Sequence, residues 1–133
     1  MYQERELNQM TIVEMYQKQA ELIESDSITN YCLKRTGHLA GEEAFQTLFY
    51  LGYLCGAEEE DEQERNLDYI CQTDMEVLSV QAEEMINTSL VRIILEQLTD
   101  LDERQKRTVL FAAGLLQPSF RLEITDSKPN IQA

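Results

Sequence analysis

The sequence predicts an all-α protein folded as a single compact bundle of about six helices, and three observations carry that prediction. Only two prolines and five glycines occur in 133 residues, which leaves too little turn chemistry for a sandwich or barrel of short strands. Apolar residues recur at three- and four-residue steps over most of the chain, the period of a helix with one buried face. Helix-start and helix-stop residues separate these periodic stretches. A chain of this length that is 43% hydrophobic suits one domain, assigned to residues 1–124 with a flexible tail at 125–133.

The first helix is expected from about Gln3 to Glu24, with Leu7, Met10, Val13, Tyr16, Ala20 and Ile23 on one stripe and Ile12, Met15 and Leu22 widening it. Ser25 or Asp26 caps a shorter second helix carrying Ile28, Tyr31 and Cys32, which Gly37 ends. Gly41 opens a third helix, with Glu42 and Glu43 at the positive end of its dipole and Ala44, Phe45, Leu48, Phe49, Leu51, Leu54 and Cys55 making it central and buried. Gly56 stops it. A fourth helix then begins in the acidic run and buries Leu67, Ile70 and Cys71.

Thr73-Asp74 begins a short turn or helix to Leu78. Ser79 is expected to cap a fifth, long helix from Val80 to Leu98 with Ala82, Ile86, Leu90, Ile93, Ile94 and Leu98 facing the core. The spacing of Asp100 and Glu103 is that of a capping box for a sixth helix, in which Arg104, Lys106 and Arg107 precede the apolar stretch Val109–Leu116 and which Pro118 ends. Phe120–Ile124 alternates like a strand but has no partner strand, so it is expected to lie extended against the helices.

The charge balance restricts function more than any motif does. With 11 basic against 25 acidic residues and a formal net charge of −14, the molecule repels nucleic-acid phosphates and anionic lipid headgroups, so neither direct nucleic-acid binding nor membrane insertion is expected. A basic protein surface is the partner such a field attracts. The start of the chain lacks the pattern of a secretory signal and the longest apolar run is too short to span a bilayer, so a cytoplasmic location is expected. Cys32, Cys55 and Cys71 are odd in number, show no C-x-x-C spacing and have apolar neighbours, which reads as reduced, buried thiols.

Candidate chemistry concentrates in Glu58–Glu64, where six of seven residues are acidic. Glu58, Glu59, Glu60, Asp61, Glu62 and Glu64 are the candidate partner-binding carboxylates, with Tyr50 and Tyr53 on the preceding helix as candidate aromatic anchors. On a helix, Glu58, Asp61 and Glu62 share a face and are weak candidates for attracting a cation, but the run lacks the glycine turn of a calcium loop, so no metal site and no cofactor are assigned. His38, the single histidine, has no ligand at zinc spacing and is read as a hydrogen-bonded loop residue. Phosphate-binding loops, nucleophile elbows and H-E-x-x-H patterns are missing, and no catalytic residue is assigned.

Leu48-Phe49-x-x-Gly52-x-Leu54 recurs as Leu110-Phe111-x-x-Gly114-x-Leu116. A glycine on a core helix admits a neighbouring helix closely, so the two copies are compatible with two pseudo-symmetric halves. By this pattern, with the acidic turn, Glu64, Leu67 and the segment Leu78-Ser79-Val80-Gln81-Ala82-Glu83-Glu84, residues 45–123 resemble the tellurite-resistance TerB-like helical domains. The resemblance implies an acidic two-halved helical fold and a divalent-cation-responsive stress module. The chain departs from the family's pattern in lacking its alanine-aspartate-glycine turn, having Gly56-Ala57-Glu58 in the first copy and Gln117-Pro118-Ser119 in the second.

Taken together, the sequence points to a non-catalytic, cytoplasmic, acidic protein-protein interaction module. The alternatives are a nucleic-acid-mimicking inhibitor of a DNA- or RNA-handling protein and the TerB-like cation-responsive module. The breadth of the first apolar stripe leaves homodimerisation open.

Overall fold

Phe111, Leu48, Leu51 and Leu110 are among the largest fully buried side chains, and they come from two helices that form the centre of the molecule. The structure, a computed structural model, describes residues 11–117. Among the described residues there are seven α-helices and no strand: α1 (Ile12–Ile23), α2 (Ser27–Arg35), α3 (Gly41–Cys55), α4 (Glu60–Gln72), α5 (Met75–Met85), α6 (Thr88–Glu96) and α7 (Glu103–Leu116). The expected start of the first helix before Thr11, the extended segment 120–124 and the tail 125–133 lie outside the described residues.

The central pair is α3 with α7. Alpha1 packs on α7, α5 and α4 pack on α3, and α2 and α6 each touch both central helices. Because α3 and α7 have neighbours on several sides, they are buried all round: the runs Thr47–Gly52 and Thr108–Gly114 contain no exposed residue. Buried hydroxyls on these helices are satisfied one turn back, Thr47 Oγ1 donating to the Glu43 carbonyl at 2.7 Å and Thr108 Oγ1 to the Arg104 carbonyl at 2.9 Å.

The repeated glycines explain why the central helices come so close. A Cβ at Gly52 would stand 2.1 Å from the Phe111 carbonyl oxygen, and one at Gly114 would stand 2.0 Å from the Phe49 carbonyl oxygen. Only a residue without Cβ fits at either place. Gly41 has a different role: its φ of +59° is a left-handed turn conformation at the first position of α3.

Several sequence expectations are corrected. The long fifth helix is two: α5 starts behind Asp74, and a break at Ile86-Asn87 follows, where the Asn87 side chain accepts from the Ser89 and Leu90 amides and starts α6. The capping box is Asp102 with Gln105 rather than Asp100 with Glu103, the Asp102 carboxylate accepting from the Gln105 amide at 2.8 Å. Leu22, expected to widen the first stripe, is 78% exposed, and Ile12, Met15 and Ile93 also face outward. Cys71 is exposed, because α4 turns only Ile70 fully inward at its far end.

Candidate functional site

The acidic run is the start of α4, and it is held by the uncharged polar residues within and just after it. Gln63 Nε2 donates to the Ala57 carbonyl, and Asn66 Nδ2 donates to the Leu54 carbonyl at 2.9 Å. These carbonyls lie at and beyond the end of α3, where helix geometry leaves acceptors without intrahelical donors. Gln63 and Asn66 therefore fasten the start of α4 to the end of α3 and leave the carboxylates on the outside.

Glu58, Glu59, Glu60, Asp61 and Glu64 are exposed and Glu62 is half-buried. Among the described residues no basic side chain forms an ion pair with any of the six; the two ion pairs are Arg92 with Glu42 at 2.7 Å and Arg107 with Glu103 at 3.0 Å. Glu60, Asp61 and Glu62 occupy the first turn of α4, where their charge is favourable to the helix dipole. Glu58 and Glu59 precede the helix, so the face that was to group Glu58 with Asp61 and Glu62 is not a continuous helical one. Among the described residues no three His, Cys, Asp or Glu side chains converge as a metal-ligand set.

The two candidate anchors diverge. Tyr50 is only 4% exposed and its hydroxyl donates to Gln81 Oε1 on α5 at 3.2 Å. Burial pushes that hydroxyl's pKa up, reinforced by neighbouring Tyr69 and Tyr53. Tyr50 is thus a core residue tying α3 to α5, with little surface of its own. Tyr53 is half-buried.

Tyr69 was not among the expected anchors. It lies on α4 beyond the acidic run, is 39% exposed, and its hydroxyl accepts from Gln81 Nε2. One turn before Gln81 on α5 stands Val77, and next to Gln81 is Val80, both exposed. Tyr69 on α4 and Val77 and Val80 on α5 are thus exposed apolar side chains beyond the acidic run. The signal was present: if Leu67 and Ile70 point inward, a helix carries Tyr69 to its flank.

Arg35 and Arg107 serve helix ends. Arg107 donates to the Thr36 carbonyl at 3.1 Å and the Leu39 carbonyl at 3.0 Å, beyond the end of α2, while Glu103 holds its guanidinium. Arg35 donates to the Ile70 carbonyl and, at 2.8 Å, to the Thr73 carbonyl at the end of α4, and its guanidinium lies over the Tyr31 ring. Arg104 donates to Asn30 Oδ1 at 2.8 Å. Positive charge at helix C-termini complements the dipole, and Arg104 and Arg107 bond within the molecule to residues outside the acidic run.

His38 is exposed in the turn after α2, and its side chain has no hydrogen bond among the described residues, unlike the bonded loop histidine expected. A groove of about 290 Å³ between α1 and the start of α7, bordered by Gln17, Glu21, Leu101 and Arg104, contains none of the sequence-predicted site residues. Among the described residues no helix is long and apolar enough to cross a membrane. Compared with known proteins, the chain matches no family model, no curated protein and no solved structure.

Proposed function

We propose that the protein is a non-catalytic interaction module of the cytoplasm that captures a basic protein surface on the start of α4. The observation that supports this most directly is the set of carboxylates Glu58, Glu59, Glu60, Asp61, Glu62 and Glu64, none paired with a basic side chain among the described residues although Gln63 and Asn66 hold the segment in place. Fixed, unpaired charges of one sign steer an oppositely charged partner and need little reorganisation on binding. Exposed Tyr69 further along α4 and Val77 and Val80 on α5 supply apolar area for the same partner, and half-buried Tyr53 belongs to the preceding helix.

The test is a pull-down from the native host's lysate at low and high salt with the wild-type chain and the variant Glu58→Gln, Glu59→Gln, Glu60→Gln, Asp61→Asn. Wild type should retain a basic protein that salt releases, and the folded variant should lose it. Equal capture by both would remove this surface from consideration. Retention of a nucleic-acid-processing enzyme would assign the surface to mimicry of a phosphate backbone.

A further inference from the structure

The groove between the end of α1 and the start of α7 is bordered by charges of both signs, each sign on a different helix. Glu21 and Glu24 line it from α1, three residues apart and so on one side of that helix, and Arg104 lines it from α7. Buried Ala20 and Val109 and half-buried Leu101 supply its apolar surface. Its volume of about 290 Å³ lies just below the range of about 300–1,000 Å³ that takes drug-sized ligands. Opposite charges that share so small a space have every reason to pair, yet among the described residues none of the three belongs to an ion pair. We infer that the groove binds a small apolar α-amino acid as its zwitterion. The ammonium group lies on the Glu21 and Glu24 carboxylates, the carboxylate on Arg104, and the side chain against Ala20, Leu101 and Val109.

Arg104 is held by a neutral group rather than by a carboxylate. Asn30 Nδ2 donates to the Asp26 carbonyl at 2.9 Å, which fixes the amide, and Asn30 Oδ1 accepts from Arg104 Nη2 at 2.8 Å. An amide orients the guanidinium without neutralising it and leaves most of its N–H donors for a carboxylate. Arg92 and Arg107, by contrast, each have a glutamate partner. In a chain with 25 acidic and 11 basic residues, an arginine left without a carboxylate beside two glutamates left without a cation is a matched pair of vacancies for one ligand that carries both charges.

The charge pattern also sets what the groove rejects. A simple carboxylic acid is repelled by the net charge of −14 and by Glu21 and Glu24. A simple amine is drawn to every carboxylate on the surface, the acidic run included, and meets Arg104 in the groove. A zwitterion has no net charge, so the field of the whole molecule neither collects nor expels it, and only the local arrangement holds it. Because the ligand touches both α1 and α7, it binds the folded chain alone and raises the melting temperature. The inference is independent of what the acidic run binds, since the groove contains none of those residues.

The test is a titration of the isotope-labelled full chain with leucine and with methionine, followed by the NMR shifts of its backbone amides. Saturable shifts are expected at Ala20, Glu21, Leu101 and Val109, with the amides of Glu58–Glu64 unmoved. Isocaproate, which is leucine without the ammonium group, and isoamylamine, which is leucine without the carboxylate, should not move the groove amides at the concentration where leucine saturates them. Arg104→Gln should weaken leucine binding about tenfold, the loss of one hydrogen bond from a charged donor, and Glu21→Gln with Glu24→Gln should do the same from the other wall. All three side chains are exposed, so both variants should keep the wild-type spectrum away from the groove, which shows that they fold. Absence of saturable shifts with both amino acids, equal shifts with isoamylamine, equal binding by Arg104→Gln, or shifts confined to the acidic run would each overturn the inference.

Discussion

Gly114 lies directly against Gly52: a Cβ built on Gly114 would come 2.9 Å from the Gly52 Cα and 2.7 Å from the Tyr53 amide nitrogen. The two residues are the same position of a repeated motif, and each faces the carbonyl of the phenylalanine three residues before the other. Backbone meets backbone there, so a methyl group has no flexible side chain to displace. Gly114→Ala or Gly52→Ala should cost at least about 3 kcal/mol, toward the upper end of overpacking effects. The double variant should cost less than the sum, because one alanine already separates the helices. Urea unfolding measures this, and a loss below about 1 kcal/mol for Gly114→Ala would show that the helices do not cross this closely.

Thr29 on α2 is fully buried and is the exception among the described residues in having a buried side-chain oxygen with no hydrogen-bond partner. Its hydroxyl lost water on folding without replacement. Thr29→Val keeps the shape and removes that cost, so stability should rise by about 1 kcal/mol and the melting temperature by a few degrees. Thr47→Val is the contrast, since Thr47 donates to the Glu43 carbonyl; it should lose roughly 0.5–1 kcal/mol. Equal effects of the two valines in thermal melts would contradict the assignment.

The guanidinium of Arg107 ties α7 to the turn after α2, and its side chain is only 12% exposed. Arg107→Met preserves much of the packing but strands the Thr36 and Leu39 carbonyls. A loss of about 2 kcal/mol is expected, the range for hydrogen bonds from a charged donor. Arg107→Lys should recover only part of it, because an ammonium cannot reach two divergent carbonyls with a planar fork. Full recovery in lysine would mean that charge alone matters there.

Arg92 donates to the Glu42 carboxylate at 2.7 Å, and this hydrogen bond lowers the Glu42 pKa. A carboxylate with a depressed folded-state pKa adds stability above its unfolded value of about 4.3, and loses it as pH falls through the lower folded value. Both groups are exposed, so the effect should be small and should fade in high salt. Wild type and Arg92→Gln should therefore melt at slightly different temperatures near neutral pH and converge in strong acid. A gap that widens on acidification would reverse the sign and exclude this pair as its source.

The course of the chain was legible where local chemistry is strong. Val13, Tyr16, Ala20 and Ile23 form the buried stripe that their spacing announces, Gly41 opens α3, and the acidic run begins α4. Asn87 was misread because the apolar period runs straight through it. An asparagine inside a helix and an asparagine that caps one have the same neighbours in sequence, and the difference is whether its side chain accepts from the Ser89 and Leu90 amides. Leu22 was placed inward for a similar reason: periodicity gives the centre of a stripe, but its width depends on the neighbour, and α7 covers only part of α1.

The sequence by itself determined the all-helical class, the motif Leu-Phe-x-x-Gly in two copies and the concentration of carboxylates between Glu58 and Glu64, because each depends on residues close in the chain. Tertiary structure alone decided which glycine meets which carbonyl, and that Tyr50 goes to the core while Tyr69 stays at the surface. Those are relations between helices. Hydrophobic burial, which drives the helices together, has no directional preference of its own, so the pairing is selected by steric fit at the α3–α7 crossing and by the arginine and amide side chains that satisfy the helix ends.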